Sequence, residues 1–384
     1  MSKKKVGIIT IVKVNNYGAE LQAFATQRAM QNMGYDSEII DYLFYKHKNH
    51  KREYCSLPFW KYPLSKHLRE IGAAIKSWFI SLLYGDKAKS REMAFERFHE
   101  NTKFSKIQYR RYSELYNNPP VYDAYCVGSD QVWNPFSYTN LNPYFLTFAS
   151  QDARKFSYAS SFGLSEIPQA AKNIYSDRLK SINHISVREL RGVEIVSEIS
   201  GQKAELVCDP TLLLSKDEWL EVAEPIEGLP DKYVLIYQLY SLPFLLDVAK
   251  SVAKNLGIKM VRLCKNVDVN NTNPDIIDLT SIGPSQYLTL FDKATFVVTN
   301  SFHGTAFCVN FGKDFYSVAL RNRKTNSRQI SLLSICGLID RMIYEDGDIP
   351  SPANYRINYT IPHDLINDFR DKSKQFIKNA IDGE

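Results

Sequence analysis

The chain has 384 residues, 44% hydrophobic and 23% charged, with a formal net charge of +6. That composition excludes wholesale disorder, and the length suits two domains at roughly 100–200 residues each. Six scattered cysteines without a CxxC pair argue against a zinc site or disulfide framework, which makes the cytoplasm the expected compartment, and no window approaches the ~18 uncharged apolar residues of a membrane span.

The N-terminal run MSKKKVGIITIV has too short an apolar stretch for a signal peptide. Residues 6–12 read instead as a strand buried on both faces. A turn at Asn15, Asn16, Tyr17 and Gly18 follows, then a helix to Gly34 and a second strand at 37–42. Strand, helix and strand within about 40 residues make a βαβ unit and imply a parallel sheet. Residues 45–111 hold 16 Lys+Arg against 6 Asp+Glu, a local charge of +10 that leaves the remainder at −4. Inside this basic helical insert, residues 71–85 (Ile71 to Gly85, IGAAIKSWFISLLYG) are apolar with a tryptophan. Basic flanks around such a face fit peripheral contact with an anionic membrane; a core helix with a solvated basic face fits as well. No nucleic-acid motif is present.

Strands are expected at 121–127, 155–159 and 185–188, with a helix from Glu189. Residues 206–208 run into Asp209-Pro210-Thr211, where the proline ends any periodic element. A new series then begins: strands at 233–239, 258–263, 295–299 and 315–318, and helices at 243–256, 285–293 (with a serine cap) and 305–311. The fold class is therefore α/β, two Rossmann-like domains with parallel sheets. The expected limits are 1–205 (acceptor side, carrying the basic insert), 206–342 (donor side) and a segment 343–384 whose helix packs across the domains. Ligands of open α/β sheets bind outside the strand C-termini, so a cleft between the two is the expected site.

Four polar clusters fall where a strand hands over to a loop: 15–18, 128–134, 188–189 and 300–304. NNYG is neither a Walker nor a GxGxxG loop, so nucleotide binding is not implied. His303, with Ser301 and Gly304, lies between a strand and the expected start of a helix, a place suited to a phosphate or carboxylate. Arg188 ends a mostly apolar strand, where burial of a guanidinium requires an anion, either a ligand or the neighbouring Glu189. Arg328 falls in the basic loop RNRKTNSR. Asp130, Gln131 and Trp133 combine a carboxylate, an amide and an indole, a set suited to a sugar; a capped turn over a core tryptophan uses the same residues. Asp130 also suits a base for a hydroxyl.

The ordered set VGIITIVKVNNYGAELQAFA, YDAYCVGSDQVWNP, KFSYASSFG, ISVRE, VCDPTLLL and TFVVTNSFHGTAFCVNFGKDF resembles the polysaccharide pyruvyl transferase family over roughly residues 6–340. The basic stretch is not well covered. The resemblance implies a GT-B-like fold and transfer of pyruvate from phosphoenolpyruvate to two hydroxyls of one sugar, typically galactose as a 4,6-ketal, with release of phosphate. It implies donor binding and catalysis at Arg188 and His303. Ser301-Phe302 stand where some members carry Arg-Leu, so the missing cation must come from elsewhere, and Arg328 is the candidate. On this reading His303 supports phosphate departure, and Asp130 or Glu189 accepts a hydroxyl proton. Asn16, Tyr17, Asp130, Gln131 and Trp133 face the sugar. No HxH or DxD pair argues for a metal, and phosphoenolpyruvate is a co-substrate rather than a cofactor. A lipid-diphosphate-linked saccharide as acceptor, in capsule or exopolysaccharide synthesis, would place the enzyme at the inner face of the membrane. A GT-B nucleotide-sugar glycosyltransferase is the alternative, followed by a carbohydrate-binding scaffold without activity and an oxidoreductase partner.

Overall fold

The computed structural model describes residues 3–51, 53, 64–137, 140–264, 266 and 273–383, with side chains described for all of these but 64–71, 73–81, 137 and 324. Contacts divide the chain into two compact units. The first comprises Met1–Tyr62, His99–Leu214 and Asp368–Glu384; the second comprises Pro63–Phe98 and Ser215–Asn367.

The first unit is built on β1 (Lys5–Ile9), β2 (Asp36–Tyr42), β3 (Phe104–Tyr109), β4 (Ala124–Val127) and β5 (Arg154–Ser157). They form one parallel sheet in the order β3-β2-β1-β4-β5. A parallel pair, β6 (Ile185–Val187) and β7 (Ala204–Leu206), continues it through single bridges from Phe156 to His184 and from Ser160 to Val187. β4 is apolar throughout and every residue of it is buried, as a central strand covered on both faces requires. Asn16 starts the helix Tyr17–Asn32 by accepting the Gly18 and Ala19 N–H groups on its side chain.

The second unit carries β8 (Tyr233–Tyr237), β9 (Lys259–Leu263), β10 (Ile276–Leu279), β11 (Phe296–Thr299), β12 (Asp314–Ala319) and β13 (Met342–Tyr344), all parallel, in the order β10-β9-β8-β11-β12-β13. Each sheet thus has the doubly wound order in which the chain steps outward one way from its first strand and then the other. The reversal lies between β1 and β4 in one unit and between β8 and β11 in the other. The helix Pro243–Leu256 coincides with its expected limits.

Several expectations change. The basic stretch does not belong wholly to the first domain, because Pro63–Phe98 groups with the second unit. The physical reason is close packing of the helix Leu64–Phe98, which is kinked at Tyr84 (φ −130°, ψ 26°). A Cβ on Gly283 would lie 2.6 Å from the Ala94 carbonyl oxygen, so the helix backbone rests on a site open only to glycine. Arg91 donates to the Cys264 carbonyl oxygen at 2.9 Å, past the end of β9. The expected serine cap at 285 is also corrected. Gly283 occupies the cap position, and its N–H donates to Gln286 Oε1 at 2.8 Å. In the tail, the boundary between units falls within the helix Thr360–Asp382. The expected membrane face of residues 71–85 depends on side chains that, through residue 81, lie outside the described residues. Beyond them Leu82 and Leu83 are 68% and 70% exposed. Among the described residues no helix is long and apolar enough to cross a membrane.

Candidate active site

At the reversal in the first unit, the chain segments leaving β1 and β4 are tied together by Thr10 Oγ1, which donates to the Ser129 carbonyl oxygen at 3.0 Å. Asp130 follows with φ +69°, while Lys13 after β1 and Ala159 after β5 have φ +57° and +53°. Three adjacent strands therefore each lead into a non-glycine residue in the left-handed region. Such strain costs about 1–3 kcal/mol per residue and concentrates at functional sites.

Arg188 leaves the end of β6 and has no exposed side-chain surface. Its Nη1 lies 2.7 Å from Asp209 Oδ2 and 3.2 Å from Ser129 Oγ; its Nη2 lies 3.2 Å from Asp130 Oδ1, and its Nε 3.8 Å from Glu189 Oε2. Burial alone would lower the guanidinium pKa. The surrounding charges of Asp209, Asp130 and Glu189 outweigh it and hold Arg188 above its ordinary value. Its place at a strand end calls for an anion, either a ligand or Glu189. Here the anions are the protein's own carboxylates, one of them the anticipated Glu189. Glu189 is 3% exposed and accepts the Ser161 hydroxyl at 2.7 Å. Asp130 is the most accessible of the three, at 16%.

Arg188, Glu189 and Asp130 thus come together, joined by Ser129 of the same 128–134 cluster and by Asp209 and Ser161, which are not among the expected site residues. A carboxylate placed directly after a strand, in Asp209-Pro210-Thr211, was the available signal. Within the sugar-facing set, the indole is corrected. Trp133 is fully buried, stacked on Phe145 at 5.4 Å between centroids, with Nε1 donating to the Tyr144 carbonyl oxygen at 2.8 Å. It is a core residue, and no ring face is left for a sugar. Tyr17 is likewise buried, at 3% exposure. Asn16 is exposed, with Oδ1 engaged as a helix cap, and the half-buried Gln131 accepts from Asn134 Nδ2 at 2.9 Å.

In the second unit the segments leaving β8 and β11 are joined by Asn300. Its Oδ1 accepts the Leu239 N–H at 2.7 Å and its Nδ2 donates to the Tyr240 carbonyl oxygen at 2.9 Å. Ser301 caps the helix Phe302–Phe311, its Oγ accepting the Gly304 N–H at 3.2 Å. The helix therefore begins three residues before the expected Thr305, and His303 lies in its first turn, half-buried. Gly304 is required by close approach. A Cβ there would stand 2.6 Å from Thr299 Oγ1 and 3.0 Å from the Tyr237 ring.

Arg328 is not in a loop, as expected, but in the first turn of the helix Ser327–Ile335. Its guanidinium carbon lies 5.6 Å from the centroid of the Phe302 ring, and the His303 ring packs edge-on to the same phenyl at 5.3 Å. Gln329, next in that helix, donates to the Asn300 carbonyl oxygen at 3.4 Å. Two helix N-termini, an imidazole and a guanidinium are thereby gathered around Phe302. Such a set can hold an anion and give it a proton or hydrogen bond.

Residues 16–322 match the polysaccharide pyruvyl transferase family. The chain belongs to that family. It is accordingly a transferase enzyme acting in polysaccharide biosynthesis. The sequence matches no curated protein. Among solved structures, UDP-GlcNAc 2-epimerase from Methanocaldococcus jannaschii is similar with a TM-score of 0.50 at 10% identity, over 94% of this chain and 98% of that one. A putative UDP-N-acetylglucosamine 2-epimerase from Listeria monocytogenes gives 0.51 at 10% identity, over 97% and 91%. At this identity the likeness speaks for the fold alone, which is GT-B-like, as expected for the pyruvyl transferase.

Proposed function

We propose that this pyruvyl transferase moves pyruvate from phosphoenolpyruvate to two hydroxyls of a galactose unit, forming a 4,6-ketal on a lipid-diphosphate-linked precursor and releasing phosphate. The observation that carries the reading is the grouping of His303 and Arg328 around Phe302 at the capped helix N-terminus. Phosphoenolpyruvate bears a carboxylate and a phosphate, so it needs cationic and N–H contacts of this kind. Arg328 supplies the cation that Ser301-Phe302 lack. His303 donates to the departing phosphate.

The acceptor belongs with the first unit's cluster. Asp130, partly exposed and held at Oδ1 by Arg188, accepts a hydroxyl proton, with Glu189 behind it. Arg188 acts through these carboxylates rather than on the donor. Asn16 and Gln131 supply amide contacts to the sugar. Exposed Leu82 and Leu83, followed by exposed Lys87 and Lys89, support peripheral contact with the inner face of an anionic membrane, where a lipid-linked acceptor resides.

Mass spectrometry of a galactosyl-lipid acceptor after incubation with phosphoenolpyruvate tests the reading. Expected are a gain of one pyruvyl ketal and release of phosphate, both lost in His303→Ala. A hexose-mass gain from a nucleotide sugar, with no phosphate released from phosphoenolpyruvate, would overturn it.

A further inference from the structure

A second proton-handling pair lies in the first unit, outside the clusters above. His99 Nε2 is 2.9 Å from Glu20 Oε2. The Glu20 side chain is 1% exposed, and its other oxygen accepts the Val14 N–H at 2.8 Å. A carboxylate held at both oxygens cannot turn away, so it fixes the imidazole. Because the carboxylate accepts, Nε2 carries the hydrogen and the lone pair is left on Nδ1. The ring is 18% exposed and reaches solvent. It packs edge-on to Phe104, at 5.8 Å between centroids.

The pair sits at the carboxyl end of β1, the side on which ligands of open α/β sheets bind. Glu20 lies in the first turn of the helix that follows β1, and Val14 lies in the connection between them. Lys13, in its left-handed conformation, places Nζ 4.2 Å from the centroid of the Phe104 ring and pairs with Asp41 at 2.7 Å. Among the described residues, charged groups near the ring include Glu20 and, across Phe104, Lys13 with Asp41. Of the near chain neighbours, Glu100 is exposed and Arg97 pairs with Glu224. A buried carboxylate orienting a partly exposed imidazole is the arrangement that makes histidine a directed base.

We propose that His99, positioned by Glu20, is a catalytic base for the acceptor, its Nδ1 taking the proton of a sugar hydroxyl that attacks C2 of the enolpyruvyl donor. This rests on the transfer reading above. The hydroxyl O–H bond breaks as the O–C2 bond forms, and the C2=C3 electron pair takes a proton at C3. The second hydroxyl then joins C2 as phosphate leaves with its bonding pair. Over the cycle the two hydroxyl protons balance the one gained at C3 and the one carried off by phosphate. Two hydroxyls must be deprotonated, and His99 serves the one that attacks first.

Two measurements on the full chain test this. In ¹H–¹⁵N spectra of the imidazoles, assigned with His99→Gln, a galactoside acceptor added without donor is expected to shift the His99 Nδ1 resonance. Absence of that shift overturns the proposal, whether or not pyruvate is transferred. In steady-state assays with phosphoenolpyruvate, His99→Gln is expected to lower kcat by roughly 10²–10⁴-fold and to leave the KM for phosphoenolpyruvate unchanged. Glu20→Gln is expected to do the same by reversing the tautomer; if that variant does not fold, His99→Gln alone decides. A kcat within about threefold of wild type, or a loss confined to the KM for phosphoenolpyruvate, overturns the proposal. Should the acceptor shift His99 while no ketal forms, the transfer reading falls and the base with it, leaving an acceptor contact alone.

Discussion

Nη1 of Arg188 lies 2.7 Å from Oδ2 of Asp209, and neither side chain is more than 1% exposed. The other Asp209 oxygen accepts the Thr211 N–H and hydroxyl at 3.0 and 2.8 Å, so the pair fastens the end of β6 to the segment after β7. Removing one member of a buried pair leaves an uncompensated charge and typically costs about 3–5 kcal/mol. Arg188→Met is therefore expected to destabilise the protein on that scale, and Arg188→Met with Asp209→Asn to recover part of the loss. Urea unfolding of both single variants and the double variant measures the coupling. A residue kept only to grip a donor would leave unfolding unchanged when replaced.

Gly304 tests the donor corner. The Cβ of Gly304→Ala would press on Thr299 Oγ1 and the Tyr237 ring. The helix bearing His303 must then shift, at a cost of about 1–3 kcal/mol. A displacement near 1 Å at a reacting group is worth on the order of 10²-fold in rate. Phosphate release by Gly304→Ala should fall to that extent while the circular dichroism spectrum stays native.

Trp133 separates packing from sugar binding. Trp133→Phe keeps an aromatic ring beside Phe145 but loses the bond to the Tyr144 carbonyl, an effect of about 1 kcal/mol. Trp133→Ala should cost about 3–5 kcal/mol. Acceptor KM should be unchanged in Trp133→Phe; a marked rise would return the indole to the sugar site.

Lys155 gives a stability test with a definite sign. It is buried in β5, with Nζ donating to the Ala149 carbonyl oxygen at 3.1 Å, and burial lowers its pKa. The unfolded chain therefore binds more protons between the lowered value and the ordinary one near ~10.4. The burial penalty is fully present below the folded-state pKa and is relieved as pH rises through that window. The stability of wild type relative to Lys155→Met should thus increase from neutral pH toward ~10.4, as read by urea unfolding across pH.

Much of this architecture could be read from local patterns. Tyr233–Tyr237, Pro243–Leu256 and Lys259–Leu263 emerged in order because an apolar run, a proline-led amphipathic stretch and a second apolar run are each local signals. β3 was missed because FSKIQY is short, carries a lysine and exposes three of its six residues at the sheet edge. The grouping of Pro63–Phe98 with the second unit rests on contacts such as Ala94 with Gly283, far apart in sequence. Site residues followed the same division. Asp130, Arg188 and Ser301–Gly304 were marked by strand ends, whereas Asp209 and the pairing of Glu20 with His99 depend on long-range approach. Trp133 looked sugar-facing because composition does not say which way an indole points.

The division of the chain has a consequence for biosynthesis. The first unit draws on residues beyond the second: Asp382 bonds Lys4, the Ile381 carbonyl accepts from Arg154, and Ser373 accepts the Cys208 N–H. A ribosome that has released β1 must still make the whole of Ser215–Asn367 before those partners emerge. The first unit therefore waits, unclosed, on the synthesis of the second. A nonsense codon within the helix Thr360–Asp382 would harm the unit built on β1.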